Sequence, residues 1–160
     1  MSSTTDRSKW DRRMLQLANE ISSYSKDRST RVGAVVVGPD GEIRSTGYNG
    51  FPRGVDDEVE HRHERPTKYL FAEHGERNAI YNAARVGIPL KDCTLYVTSN
   101  PSKFPPCADC ARAIIQAGIR RVVQEKLDHD SEAAKRWKES TAATFEMFTE
   151  AGIEFDEVQL

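Results

Sequence analysis

At 160 residues the chain has the length of one ordinary domain, enough to bury roughly two thirds of its unfolded surface around a single core. With 38% hydrophobic and 30% charged residues it falls among globular rather than disordered sequences. Its 23 basic and 25 acidic side chains leave a formal charge of −2, which excludes a polyanion-coating protein, and no apolar run approaches the roughly 20 residues of a membrane span. The first residues also lack the apolar core of a signal peptide, so a cytoplasmic protein is expected.

Residues 1–8 read as a flexible tail ahead of one domain that fills the rest of 1–160. From Lys9 to about Tyr24, Trp10, Met14, Leu17 and Ile21 recur at helical spacing and predict a packing helix. The continuous β-branched run at Val32–Val37 predicts a strand covered on both faces. Gly38-Pro39-Asp40-Gly41 turns it into a second strand ending near Tyr48, which makes a hairpin. Asn49 to Thr67 lacks periodicity and reads as a long ordered loop, with Asp56–Arg65 a solvated stretch of mixed charge. A helix is expected from His74 to Val86, a strand at Cys93–Thr98, a helix from Cys107 to Ala117 and a short strand at Arg120–Val123. One helix capped by Ser131, with Ala134, Trp137, Thr141, Phe145 and Phe148 on one stripe, should reach Gly152 before a last strand at Ile153–Val158. Helices alternating with strands, and a hairpin at the start, predict an α/β domain of three layers, α/β/α, on a mixed five-stranded sheet.

The chain has three cysteines, an odd number that cannot form a closed disulfide framework, and two of them stand as Cys107-Ala108-Asp109-Cys110 at a helix start. There the free N–H groups and the helix dipole favour thiolates. His74-Gly75-Glu76 opens the other helix, so that the two helix starts are expected to face each other across the sheet. One His and two Cys are three zinc ligands, one fewer than a closed structural site needs, and a catalytic zinc keeps that fourth position for water. Glu76, in the first turn beside His74, is suited to accept and pass on a proton rather than to bind the metal. Taken singly, His74 is an ordinary surface histidine and the two cysteines are buried thiols. Together, His-x-Glu followed by Pro-Cys-x-x-Cys is the signature of zinc deaminases that act on nucleobases. Cys93 lies mid-strand and reads as core, and a second zinc held by Cys93 or His129 is not expected.

In these motifs the sequence resembles the cytidine and deoxycytidylate deaminase superfamily, and within it the dCMP deaminases. The resemblance runs through Ser25-Lys26-Asp27, Val32-Gly33-Ala34, Gly47-Tyr48-Asn49-Gly50-Phe51-Pro52-Arg53-Gly54, Thr67-Lys68-Tyr69, His74-x-Glu76-x-Asn78 and Cys107-x-x-Cys110, in family order. It implies a cytidine-deaminase-like fold and one catalytic zinc per chain, held by His74, Cys107 and Cys110 with Glu76 catalytic. It implies hydrolysis of a free cytosine nucleotide, dCMP to dUMP and ammonia, by water activated at the zinc. It also implies a homo-oligomer, a hexamer among its forms, while the missing aromatic-basic groove and apolar span predict no nucleic-acid or membrane partner. By the same resemblance Asn49 binds the deoxyribose and Gly75 offers its backbone to the base. Lys26, Arg28, Arg31 and Arg53 are the nearest groups to hold phosphate, and Asn49, Gly50, Phe51 and Gly54 form a place for regulatory dCTP.

Two departures bear on the substrate. Gly75 stands where the family has alanine, after Glu73 where an apolar residue or Cys is common, and Ser99–Pro105 is longer than the family's link. Both changes are expected to enlarge the pocket, which keeps deamination of a purine or modified pyrimidine as the alternative. A silent zinc- or nucleotide-binding module is the other, and it has no need of Glu76.

Overall fold

Apolar residues on both faces place the run after Arg31 in the middle of a sheet. The computed structural model describes residues 4–160. The helices are α1 (Thr4–Ser22), α2 (Lys68–Phe71), α3 (Gly75–Val86), α4 (Ala108–Gln116), α5 (Glu132–Arg136) and α6 (Lys138–Ala151), with a 3-10 turn at Glu60–His63. The strands are β1 (Arg31–Val37), β2 (Ile43–Tyr48), β3 (Thr94–Asn100), β4 (Arg121–Glu125) and β5 (Glu154–Val158), in the spatial order β2-β1-β3-β4-β5. β1 pairs antiparallel with β2 and β3, whereas β3, β4 and β5 run parallel. This is the expected mixed sheet in a three-layer α/β/α fold. Among the described residues no helix is long and apolar enough to cross a membrane.

Side chains of β1 alternate between two cores, as a strand period of two requires. Val32, Ala34 and Val36 pack with Ala79 and Ala83 of α3, Ala111 and Ile114 of α4, and Phe148 of α6. Val35 and Val37 pack with Met14, Leu15 and Ala18 of α1. The buried face of α1 is therefore turned from the one its apolar spacing suggested, for Asp11 is buried while Trp10 is exposed. The cause is polar: Asp11 accepts hydrogen bonds from Tyr96 Oη at 2.8 Å and from the Arg121 guanidinium at 2.8 and 2.7 Å. Residues 4–8, expected in the tail, belong to α1, where Arg7 pairs with Glu154 and Asp156 on β5; residues 1–3 lie outside the described residues.

Gly33 lets α1 rest directly on β1, since a β-carbon there would collide with the Ala18 carbonyl and the Ser22 backbone. Gly33→Ala is accordingly expected to cost about 1–3 kcal/mol by forcing two packed layers apart. Urea unfolding of the two proteins measures this, and equal midpoints would show that the contact has slack.

The expected single helix after Ser131 is two. Ser131 caps α5 by accepting from Ala134 N at 3.0 Å, but at Trp137 the backbone leaves helical geometry and α6 begins. α6 is fixed from its own side by Ser140 Oγ, which accepts from Ala108 N at 2.8 Å, and by Thr144, whose hydroxyl donates to the Pro106 carbonyl at 2.8 Å. Those bonds dock α6 on the start of α4 and leave Trp137 at the break.

Candidate active site

β1 begins where β2 and β3 end, since Gly33 pairs with Tyr48 and Arg31 with Asn100. The chain enters α3 and α4 beside that end of the sheet. His74 is the N-cap of α3 and Cys107 the N-cap of α4, both with extended backbone, and Cys110 lies one turn into α4. The two helices lie side by side on one face and share a core, which corrects the expectation that their starts meet across the sheet. His74 Nδ1 stands 3.3 Å from Cys107 Sγ and 3.4 Å from Cys110 Sγ. Zinc–sulfur bonds of about 2.3 Å and zinc–nitrogen bonds of about 2.0–2.1 Å, at a tetrahedral angle, place N and S ~3.6 Å apart. Those three atoms lie within 4.8 Å of one another, and Glu76 is not among the group.

The electrostatics suit a cation. A hydrogen bond from the Cys110 thiol, helped by the His74 ring and set against burial, holds the Cys107 thiol down at about 4. The same bond, with burial, pushes Cys110 well above the ordinary thiol range. A lowered Cys107 thiol between two helix N-termini suits a cation, and the Cys110 thiol would give up its proton on binding a dication. Burial raises the Glu76 carboxyl, against the attraction of His74. Burial alone would lower His74, but its contacts with Cys107 and Glu76 raise it instead.

Around this group is a cavity of about 80 Å³ whose walls include His74, Glu76, Cys107, Asn49, Phe104 and Trp137. Trp137 stands edge-on to His74 and to Tyr69, with ring centroids 6.4 and 6.0 Å apart.

Residues 8–126 match the cytidine and deoxycytidylate deaminase zinc-binding region. The chain belongs to this deaminase family. Its relatives in the family include a protein of Aliivibrio fischeri described as an uncharacterized deaminase, 41% identical over 147 residues that make up 92% of each chain. Human deoxycytidylate deaminase is 35% identical over 152 residues, 91% of this chain and 78% of the human one. The fold is similar to that of the dCMP deaminase of cyanophage S-TIM5, with a TM-score of 0.71 at 23% identity over 99% of this chain and 100% of that one. In this zinc-binding deaminase, His74, Cys107 and Cys110 are the group positioned to hold one metal ion.

Other deaminase-site expectations divide. Asn49 is buried on the cavity wall, with Oδ1 accepting from Val32 N and Nδ2 donating to Thr30 O, both at 2.8 Å. Gly75 does not line the cavity, and its missing methyl does not widen it. A β-carbon there would point at β1, 2.9 Å from Val32 Cγ1 and 3.1 Å from Val32 O, so the glycine serves close packing of α3 on the sheet. The long 99–105 segment supplies a wall of the site. Ser99 Oγ donates to Ser102 O and accepts from Phe104 N, which folds the segment back and leaves Phe104 on the cavity wall. Glu73 accepts from His74 N at 2.9 Å and from Arg77 at 2.6 Å, and its backbone bonds to Gly50 in both directions.

The basic residues expected at the phosphate do not line the metal cavity. Lys26 pairs with Asp57 at 2.8 Å and Arg28 with Glu60, both on a neighbouring cavity of about 480 Å³. Gly50 and Phe51 share that cavity, but Gly54 does not. Arg53 donates to Asn82 on a third surface, and Arg31 reaches back to the Asp27 carbonyl. Sequence reasoning missed the cavity's Trp137 and its cations Arg65 and Arg136, and gave Lys68 and Tyr69 no role beyond the resemblance. Trp137 sat at core spacing in an expected helix and gave no sign of its break.

Proposed function

We propose that this zinc-dependent hydrolytic deaminase acts on a free cytosine nucleotide, dCMP, converting dCMP and water to dUMP and ammonia. The observation that carries the reading is the donor group of His74, Cys107 and Cys110 with the buried Glu76 carboxyl on the same cavity, whose walls also include the rings of Phe104, Tyr69 and Trp137. The naming of relatives such as the human enzyme as deoxycytidylate deaminases supports the same substrate.

Bound zinc supplies the Lewis acid that makes water a nucleophile near neutral pH. His74, Cys107 and Cys110 would hold the ion. Glu76 takes the proton that the attacking water releases, delivers it to ring nitrogen 3, and carries the next one to the amine that leaves carbon 4. Burial of Glu76 keeps bulk water from competing in that transfer. Asn49 braces the loop between Thr30 and Val32, and its second amide hydrogen and second oxygen lone pair remain for the deoxyribose hydroxyl. The neighbouring cavity, with Gly50 and Phe51 against Lys26 and Arg28, is the place for a regulatory dCTP.

Ammonia release from a panel of bases, nucleosides and nucleotides tests this. The zinc-loaded enzyme is expected to show its highest kcat/KM on dCMP, and dCTP to change the substrate dependence. Faster turnover of any purine overturns the pyrimidine reading.

A further inference from the structure

Gln124 is a polar side chain with no exposed surface, on a strand with neighbours on both sides. Two positions on from Val122 it shares that residue's face of the sheet, the face whose core contains Ala111, Ile114 and Phe148. A buried amide is costly unless it is bonded, and an apolar side chain of the same length would fill the volume without that cost. Gln124 Nε2 donates to the carbonyl of Phe104, while its Oε1 accepts from no described residue. The amide nitrogen of the same phenylalanine donates to Ser99 Oγ at 3.2 Å, and Ser99 is also buried, on β3. Both main-chain groups of one residue are thus held by buried side chains from two adjacent strands, and the side chain of that residue is a wall of the metal cavity.

We infer that Gln124 and Ser99 are positioning residues of the deaminase: they clamp the Phe104 backbone and so set its ring as the wall against which the base binds. The clamp stops short of the metal. Pro105 and Pro106 separate Phe104 from Cys107, and beyond them the chain is fixed from α6, by the Thr144 hydroxyl on the Pro106 carbonyl and by Ser140 Oγ on Ala108 N, each at 2.8 Å. On the other side, the Lys103 carbonyl accepts from Asp128 N at 2.8 Å and its ammonium pairs with Glu125 at 2.9 Å. Loosening the clamp therefore frees Phe104 without releasing the rest of the segment or the cysteine. It also falls on the stretch where this chain departs from the family's shorter link, so Phe104 is a wall that this chain fixes by its own contacts.

The inference rests on the deaminase reading of the cavity but not on dCMP as the substrate. Kinetics are measured on the zinc-loaded protein with whichever compound of the panel the wild type turns over fastest. Gln124→Met, close in size and unable to donate, is expected to raise KM about threefold to tenfold, the net worth of one hydrogen bond, with kcat within about twofold and zinc content unchanged. Ser99→Ala, a smaller change at the other end of the clamp, should move KM the same way, and it carries the test should Gln124→Met not fold. A double-mutant cycle with Phe104→Ala isolates the route, because once the ring is gone Gln124→Met should add nothing further to KM. A tie that is only structural would lower Tm and leave KM alone, and that result overturns the clamp. An equal effect on KM with and without the Phe104 ring also overturns it, as does zinc loss in Gln124→Met, which would make the tether a support of Cys107. If dCMP is not turned over but the cycle holds with another compound, the substrate reading fails and the clamp stands.

Discussion

Zinc-loaded Glu76→Gln is expected to keep one metal ion per chain and to bind dUMP, yet to turn over dCMP ~10²-fold or more slowly, the usual worth of a positioned acid–base group. Glutamine fills the space of the carboxylate but cannot accept a proton. The geometry separates chemistry from ligation, because the metal-holding group comprises His74, Cys107 and Cys110 without Glu76. The fold should tolerate the change, since burial already disfavours the charge that is removed. If Glu76 were only an acidic first-turn residue favoured by the helix dipole, the same change would cost under ~1 kcal/mol and leave kcat intact. Steady-state rates and zinc content on the same sample decide this. Near-normal kcat with full zinc removes Glu76 from the mechanism, and loss of zinc makes it a ligand.

The metal centre was legible because its chemistry is local. His74 and Cys107 are helix N-caps and Cys110 is one turn further, so motif and helix start together place the donors. The strands were legible for the same reason: β-branched runs and a Gly-Pro-Asp-Gly turn are short-range signals. What failed was set by contacts distant in sequence. The turn of α1 depends on Arg121 and Tyr96 reaching Asp11, and apolar periodicity carries no term for a buried ion pair. The break at Trp137 has no Gly or Pro to announce it, and α6 is held by bonds to Pro106 and Ala108 some thirty residues away. Lys26 and Arg28, named for phosphate by the resemblance, are paired with Asp57 and Glu60 on the neighbouring cavity, contacts some thirty positions apart that no local pattern carries.

Cys107→Ser and Cys110→Ser are each expected to lose the zinc and, with it, all but background activity, because a serine hydroxyl is too hard and too weakly acidic to replace a thiolate. The two changes should also remove metal-linked stability. A ligand that binds only the folded state stabilises by RT ln(1 + [L]/Kd), so adding zinc should raise the wild-type Tm, and a chelator lower it, while neither moves either variant. Cys93→Ala supplies the contrast within the same residue type. Cys93 is fully buried beside Leu95 and Ile119, away from the other two thiols, so its loss should lower Tm through packing alone and leave zinc content and kcat unchanged. Metal analysis with thermal unfolding on all three variants checks the assignment. Full zinc occupancy in the Cys107→Ser, Cys110→Ser double variant would refute it, and zinc loss in Cys93→Ala would move a ligand into the core of the sheet.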